Sequence, residues 1–215
     1  EIAQCLVGSE MCIRDRNSPK PEGYASQIKV GDLKYADLNN DKRIDSEDFK
    51  AIGYTDVPEC TLGLHAGLTY KGFDFDVLFQ GALNRSVYWS GSYFEAFQND
   101  GQISSIALNR WTEDTKSTAT YPRLSASNNL NNYQSSSFWQ KNGDFLKLRS
   151  LEIGYTIPKN LTRKIKIEGV RVFMNGTNLF SLDHMDGFTD PETMTGYPAM
   201  RTVSLGPVSY THLRA

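Results

Sequence analysis

The stretch that decides the fold is residues 61–83, which run Thr61-Leu62-Gly63-Leu64-His65-Ala66-Gly67-Leu68-Thr69-Tyr70-Lys71-Gly72-Phe73-Asp74-Phe75-Asp76-Val77-Leu78-Phe79-Gln80-Gly81-Ala82-Leu83. Apolar residues occupy every second position as far as Tyr70, and large apolar residues do so again from Phe73 onward. A period of two indicates a β-strand with two different faces, because successive side chains point to opposite sides. Lys71 and Gly72 interrupt the pattern, so the sequence predicts two antiparallel strands joined by a short turn.

The length of these two strands favours a membrane location. Each runs for about ten residues, whereas strands in soluble domains are typically about 5–6 residues long. A tilted strand of about ten residues is long enough to cross the hydrocarbon layer of a membrane. Tyr70 and Phe73 flank the turn, where interfacial aromatic residues would lie. A β-sandwich hairpin with one buried face has the same periodicity and stays open as the alternative.

The same alternation returns in three later segments, which are 145–157, 170–180 and 200–206. In the first of them the apolar positions change parity, which predicts a β-bulge near Ser150. A long connection of residues 84–144 and a second loop of residues 181–200 alternate with short turns. Long loops at one end of the strands and short turns at the other are typical of an outer-membrane β-barrel.

Composition and charge exclude several classes of protein. The 23 Lys and Arg residues against 25 Asp and Glu leave a net charge of −2, so the basic excess that nucleic-acid binding needs is missing. No run approaches the ~18 consecutive apolar residues of a membrane-spanning helix. His65 and His184 have no nucleophile pattern beside them, and the carboxylates show no paired arrangement, so we expect a protein that is not an enzyme.

The two ends of the chain do not continue these patterns. Residues 1–16 and 207–215 resemble translated sequencing-adapter peptides, so we exclude both from the fold and the function. Residues 17–60 are predicted to be a loop region with one chemical motif, and residues 61–206 to hold barrel strands and loops. Outside the excluded ends Cys60 stands alone, so neither a disulfide framework nor a zinc site is predicted.

The chemical motif is an acidic loop between Asp37 and Asp48. Its oxygen-bearing side chains have the spacing of an EF-hand or dockerin-type calcium loop, in which alternate residues point oxygens inward. The candidate ligands of a structural Ca²⁺ are the side chains of Asp37, Asn39, Asp41, Asp45 and Asp48 and the backbone carbonyl of Arg43. Lys42 stands where glycine normally makes the sharp turn, and Asp48 replaces the usual bidentate Glu. An acidic turn without metal therefore stays open as the alternative.

Aromatic residues in the connection 84–144 are the candidates for substrate contact. Loops longer than about 15 residues usually carry function or their own fold, and aromatic rings beside amide side chains suit sugar faces or peptide side chains. We select Trp89, Tyr93 and Trp111 as candidate stacking residues. Packing within the loop is the alternative for each of them. Residues 101–111 have roughly helical spacing and predict a short helix.

Six motifs in order carry a family resemblance, and they are Gly31-Asp32-Leu33-Lys34-Tyr35, Tyr70-Lys71-Gly72-Phe73-Asp74-Phe75, Gly143-Asp144-Phe145-Leu146-Lys147-Leu148-Arg149, Leu151-Glu152-Ile153-Gly154-Tyr155, Asn178-Leu179-Phe180 and Asp190-Pro191-Glu192. Together they resemble the C-terminal part of SusC/RagA-type TonB-dependent outer-membrane transporters over about residues 24–206. The fold that this resemblance implies is all-β: part of an antiparallel transmembrane β-barrel, formed by its C-terminal strands, with long outer loops.

The resemblance also implies a function. It points to an importer of oligosaccharides or peptides in the outer membrane, surrounded by lipid and covered by a SusD-like surface lipoprotein. Contact with the TonB complex would pass through an N-terminal part, and no plug domain or TonB-contacting segment is present in the sequence, so we expect a fragment. A secreted, soluble carbohydrate-binding β-protein with a dockerin-like calcium loop remains the alternative.

Overall fold

The structure, a computed structural model, describes residues 21, 23, 28–97, 101–126, 129–163, 167–194 and 196–210. The predictions for residues 1–16 and 211–215 lie outside this part of the chain. The described residues fall into two compact units. One unit contains the residues up to Asp56 together with Ser86–Asn142, and the other contains Val57–Arg85 and the residues from Gly143 onward.

The described residues form seven strands, which are β1 (Cys60–Tyr70), β2 (Phe73–Leu83), β3 (Ser86–Tyr88), β4 (Gln140–Asn142), β5 (Phe145–Thr156), β6 (Gly169–Asp183) and β7 (Thr202–Tyr210). Five of them make one antiparallel sheet in the order β1-β2-β5-β6-β7, and β3 pairs with β4. In the part of the chain that the structure describes, helical structure is limited to the four-residue α1 (Lys159–Thr162) and short 3₁₀ turns. No helix in the described ranges has the length and apolar character to cross a membrane.

The predicted hairpin is confirmed residue by residue. Tyr70 pairs with Phe73, and the two residues between them both have positive φ, 49° at Lys71 and 87° at Gly72. Positive φ at both central positions is the pattern of a type I′ turn, whose twist matches that of the flanking strands. The turn therefore fixes the register along the full eleven residues of each strand.

The predicted bulge is also confirmed. Leu78 and Phe79 of β2 pair with Ser150 and Leu148 of β5, so Arg149 is the extra residue of β5 against β2. Side chains alternate between the two faces of a strand, and one extra residue reverses that alternation. Apolar residues of opposite sequence parity on the two sides of the bulge therefore lie on the same face. This explains why Leu146 and Leu148 have a sequence parity opposite to that of Leu151 and Ile153.

The five-stranded sheet has one apolar and one polar face. On the apolar face, Leu68 of β1 is 66% exposed and Leu205 of β7 is 77% exposed, although apolar side chains normally seek burial. Further exposed residues on this face are Leu62, Leu64, Tyr70, Phe73, Phe75, Leu146, Ile153, Val172, Met174, Phe180, Leu182 and Val203. The polar face carries the charged residues of β2, β5 and β6.

Strand β7 continues past the boundary that the sequence set at residue 206. Pro207 pairs with Val172, and pairing ends at Tyr210 opposite Gly169. Proline lacks a backbone N–H and is therefore found on edge strands, and β7 is an edge of this sheet. The assignment of residues 207–215 to an adapter-like end stays a prediction.

Residues 86–142 of the connection belong to the other unit, which has its own core. Fully buried Trp139 makes edge contacts with Phe138 and Tyr121 at centroid distances of 4.7 and 5.8 Å. Leu33 and Ile44 are also buried in this unit. Within the segment predicted as a short helix, Ser105–Asn109 form a 3₁₀ turn. The long loop is thus a folded body rather than a structureless insertion.

Candidate functional site

The polar face of the five-stranded sheet carries two clusters of charged residues. Near the turn at Lys71, Arg171 of β6 binds Asp74 and also donates to Glu152 Oε1 at 2.6 Å. Asn175 donates from Nδ2 to the other oxygen of Glu152 at 3.1 Å. One guanidinium therefore bridges carboxylates from β2 and β5, which ties three neighbouring strands together on this face.

Gly154 makes room for this bridge. A Cβ at this position would overlap Nη2 of Arg171 and Oδ2 of Asp74. Because glycine has no side chain, the ion pair lies flat across the strand between its partners. The Leu151-Glu152-Ile153-Gly154-Tyr155 motif thus combines a charged partner with the gap that the guanidinium needs.

The second cluster lies at the opposite end of the sheet and reaches into the loop 184–201. Lys147 Nζ donates to Asp190 at 2.6 Å and to Glu192 at 2.8 Å, and Glu192 also binds Arg149. The Lys147 side chain is only 4% exposed and that of Asp190 10%. Arg149 further donates to Gln80 and Asn178 at 2.8 and 3.1 Å. We call Lys147, Arg149, Asp190 and Glu192 the loop clamp.

The loop clamp also organises the turn of the Asp190-Pro191-Glu192 motif. Asp190 accepts hydrogen bonds from the backbone N–H of Glu192 at 2.9 Å and of Ala199 at 3.4 Å. Burial acts to raise the pKa of Asp190, but the hydrogen bonds from Lys147 and these backbone groups outweigh it and hold the pKa below its ordinary value. Asp190 is therefore a carboxylate whose charge is compensated on several sides.

A cavity of about 280 Å³ lies beside the loop clamp. One side is formed by residues of β5 and β6, including Lys147, Asn178 and Ser181, and the other by loop residues such as Thr189 and Arg201. The cavity combines aromatic and proline surface with amide, hydroxyl and charged groups. Such a mixture is typical of small-molecule sites, where a few polar groups fix orientation within an apolar lining.

The three predicted stacking residues differ in their surroundings. Trp89 is 6% exposed, stacks on Phe94 at 4.9 Å and lies under the ammonium group of Lys141. Tyr93 is 46% exposed and contacts Phe94 edge-on. Trp111 packs against Gly31. Tyr93 thus presents much of its ring to solvent, whereas Trp89 is part of the core, and the substrate role of all three stays a prediction.

A buried polar network around Asp32 was not foreseen from the sequence. Asp32 is 2% exposed and accepts hydrogen bonds from Lys29 N–H at 2.7 Å, Asn129 at 2.9 Å and Asn132 at 3.0 Å. Arg123 lies 3.1 Å from the same carboxylate. The network joins the Gly31-Asp32 motif to an asparagine-rich segment about a hundred residues later. The high asparagine content of that segment is the only sequence signal for the network.

A buried carboxyl group also lies in the core of this unit. Burial raises the pKa of Glu95, and a backbone hydrogen bond at Gly91 partly opposes the effect. Nearby, the Tyr121 hydroxyl donates to the Phe94 carbonyl at 2.8 Å and accepts from Ala96 N–H at 3.0 Å. Burial is also the main cause of the raised pKa of Tyr121. These contacts indicate that Glu95 and Tyr121 belong to the packed core of this unit rather than to a solvent-exposed surface.

The acidic loop 37–48 folds through its own side chains. Asp37 Oδ2 accepts from Lys42 N–H at 2.7 Å, and Asp41 accepts from Arg43 N–H at 2.8 Å. Asp48 accepts from Leu38 N–H at 2.7 Å and from Asp45 N–H at 3.1 Å, so both of its oxygens bind the backbone. The pattern repeats at the remaining ligand positions, where Asn39 accepts from Asp41 N–H and Asp45 from Glu47 N–H.

Among the buried side-chain oxygens of the described residues, one that belongs to this loop lacks a partner. Oδ1 of Asp37 is buried and receives no hydrogen bond from the described residues. Across the same part of the chain, no three His, Cys, Asp or Glu side chains converge as a metal-binding group. The structural Ca²⁺ at this loop stays a prediction, with Asp37 Oδ1 as the atom that most needs a cation or donor.

Sequence comparison finds curated relatives that are TonB-dependent receptors. No family model matches the chain. TonB-dependent receptor P3 of Formosa agariphila is 28% identical over 177 residues, covering 80% of this chain and 17% of that protein. TonB-dependent receptor SusC of Bacteroides thetaiotaomicron is 29% identical over 181 residues, again covering 80% of this chain and 17% of that protein. The chain spans about a fifth of the length of the curated relatives it matches.

Solved structures agree with the sequence comparison. A structure of the RagAB peptide transporter matches with a TM-score of 0.61 and 25% identity, over 82% of this chain and 21% of that one. The RagAB peptide importer in its "closed-closed" state gives the same values. These findings confirm the predicted resemblance to SusC/RagA-type TonB-dependent transporters and the predicted all-β class.

Proposed function

We propose that this chain is a wall segment of a TonB-dependent outer-membrane importer of nutrients such as oligosaccharides or peptides. The five-stranded sheet with one exposed apolar face and one charged face is the observation that carries the proposal. The similarity to TonB-dependent receptors P3, P26 and SusC supports it independently.

The two faces suit a position between lipid and water. Apolar side chains gain about 25 cal/mol for each Å² removed from water, and contiguous exposed apolar patches on soluble proteins are rarely larger than a few hundred Å². We infer that lipid tails cover the apolar face, while the Arg171 and Lys147 clusters line a wet passage. The sandwich alternative requires a second protein layer over the apolar face.

The two edge strands of the sheet indicate that further strands of a longer protein pair with them. β1 and β7 are the edges of the five-stranded sheet. Five strands enclose too small a circumference for a substrate passage, and unpaired edges promote aggregation. We infer that neighbouring strands of a complete transporter pair with both edges. By the resemblance, the complete transporter carries a SusD-like lipoprotein outside and engages the TonB complex through its N-terminal part.

Replacing Val77 by arginine tests the lipid-facing assignment. Val77 and Leu78 are adjacent aliphatic residues of β2 that point to the apolar and the polar face respectively. An arginine near the bilayer midplane costs about 2–4 kcal/mol on the lipid face of a barrel. We expect Val77→Arg to reduce the amount of complete protein in the outer-membrane fraction, measured by fractionation and immunoblotting.

Leu78→Arg is the matched control for this test. It adds the same charge one residue away but on the polar face, so its membrane amount should stay near that of the wild type. Recovery of the wild-type complete protein as a soluble monomer would favour the sandwich instead. Equal loss for both variants would contradict the assignment of the two faces.

We also propose that the acidic loop binds a structural Ca²⁺. The ligand set consists of hard oxygen donors, and the unpartnered Oδ1 of Asp37 supports a cation at this loop. Carboxylates crowded into a short loop repel one another unless a cation neutralises them. When bound, the ion would supply charge compensation only, and the loop residues would hold the chain ahead of β1.

Calcium should then protect residues 37–48 from proteolysis in the complete protein. We expect slower cleavage with Ca²⁺ than with a chelator, weak substitution by Mg²⁺, which prefers rigid octahedral sites, and loss of protection in Asp41→Ala. Mass spectrometry of timed digests measures the cleavage. Asp114→Ala removes an exposed carboxylate outside the loop and should keep the protection. Equal cleavage with calcium and chelator would leave the acidic turn without metal.

A further inference from the structure

We propose that the cavity beside the loop clamp is a subsite for an acidic group of the imported substrate, with Arg201 as its cation; this inference rests on the importer function proposed above. The chemistry in question is a carboxylate or sulfate. Its sources in nutrients are the free C-terminus or acidic side chains of a peptide, and the uronate or sulfate groups of an oligosaccharide.

The size of the cavity suits one unit of a polymer. Its volume of about 280 Å³ lies just below the ~300–1,000 Å³ of pockets that hold drug-sized ligands. Such a space holds a single residue or sugar ring rather than a whole oligomer. A subsite of this kind would therefore recognise one group while the rest of the substrate lies along the passage.

The cavity is held open by contacts on both sides. Lys147 and Ser181 are cross-strand partners on β5 and β6 and line the cavity on the sheet side. The loop side is fixed by the loop clamp and by the bond from Asn178 Nδ2 to the Met200 carbonyl at 3.3 Å. A preformed site loses less conformational freedom on binding than a site that must fold around its ligand.

Charge distribution within the lining singles out Arg201. Lys147 already donates to Asp190 and Glu192. Asp183 accepts from the Ser181 hydroxyl at 2.6 Å and from Met185 N–H at 3.0 Å. Arg201 has no hydrogen-bond or ion-pair partner among the described residues, although it lines the same cavity.

A guanidinium without partners has all its N–H donors available. Its planar fork matches the two oxygens of a carboxylate or sulfate, and such charge-assisted pairs are stronger than neutral hydrogen bonds. The backbone next to Arg201 is fixed, because Thr202 pairs with Thr177 across β7 and β6. The guanidinium that would recognise the ligand group thus extends from a fixed backbone position in the cavity lining.

Binding to the purified complete protein in detergent tests this subsite. The probes are a tripeptide with a free C-terminus, the same tripeptide amidated, a glucuronate oligosaccharide, and a neutral glucose oligosaccharide of equal length. We expect the wild type to prefer an acidic probe over its neutral partner. Arg201→Gln should weaken binding of that acidic probe about ten-fold and leave the neutral one unchanged.

Arg163→Gln is the matched control, since it removes an exposed arginine of the same sheet unit beyond α1. It should leave all four affinities unchanged. The two pairs of probes distinguish a peptide source from a glycan source. Equal binding of acidic and neutral probes by the wild type, or the same affinities in Arg201→Gln, would overturn the subsite. Uptake is measured separately, so failed uptake with intact acidic preference counts against the importer function alone.

Discussion

Replacing Lys147 by alanine is expected to destabilise the complete protein by about 3–5 kcal/mol, because removing one partner of a buried ion pair leaves an uncompensated charge. The lysine side chain is nearly inaccessible and holds two carboxylates, Asp190 at 2.6 Å and Glu192 at 2.8 Å. Its loss leaves Asp190 buried with backbone donors only. Urea unfolding of the protein in lipid vesicles, followed by tryptophan fluorescence, measures the change.

Two further variants identify the cause of that loss. Lys159→Ala removes an exposed lysine of α1 and should change stability by less than about 0.5 kcal/mol. Adding Asp190→Asn to Lys147→Ala should cost less than the two single changes summed, because each removes the partner that makes the other costly. Strictly additive losses would show that Lys147 and Asp190 act independently.

The acid dependence of the loop clamp gives a second readout. The pKa of Asp190 lies below its ordinary value of 3.8 in the folded protein. Stability from this carboxyl is therefore fully present above that value and is lost as the pH falls through the lower folded pKa. The wild type should lose stability below about pH 4 more steeply than Lys147→Ala, whose Asp190 has lost its main hydrogen-bond partner.

Local periodicity was enough to predict the hairpin, because Tyr70 and Phe73 pair directly across a two-residue turn. The bulge near Ser150 followed from parity for the same reason: a strand with one apolar face tolerates a slip only if an extra residue restores the pattern. These features depend on residues that are neighbours in the sequence. The order of the strands depends on residues far apart in the sequence, since β2 pairs with β5 across the whole connection 84–144.

The unpredicted parts depend on contacts between residues far apart in sequence. Leu33 N–H donates to Asn132 Oδ1 at 2.8 Å across 99 positions, and Lys147 meets Asp190 across 43. A sequence pattern gives the side chains but not which partners they find. For this reason the Asp190-Pro191-Glu192 motif was noticed without its role in the loop clamp, and the sequence left both substrate contact and loop packing open for Trp89.

Gly31→Ala is expected to destabilise the unit that contains residues 28–56 and 86–142 by about 2–6 kcal/mol, the sum of two effects. Gly31 has a φ of +89°, and a side chain in such a conformation costs about 1–3 kcal/mol. A Cβ there would also overlap the indole ring of Trp111, and overpacking costs a further ~1–3 kcal/mol. Limited proteolysis of the complete protein at increasing urea measures the loss. The quantity compared is the urea concentration at which half of the protein is cleaved within residues 101–126.

Gly91→Ala separates the two effects within the same unit. Gly91 has a similar φ of +84°, but a Cβ there meets nothing within 4 Å, so only the backbone cost of about 1–3 kcal/mol should appear. Trp111→Ala removes the clash and should make the loss in Gly31→Ala smaller in the double variant than the two single losses added. If Trp111 contacts only substrate, Gly31→Ala should match Gly91→Ala in stability. A larger loss at Gly31 instead supports packing within the loop, which is the alternative to substrate stacking for Trp111.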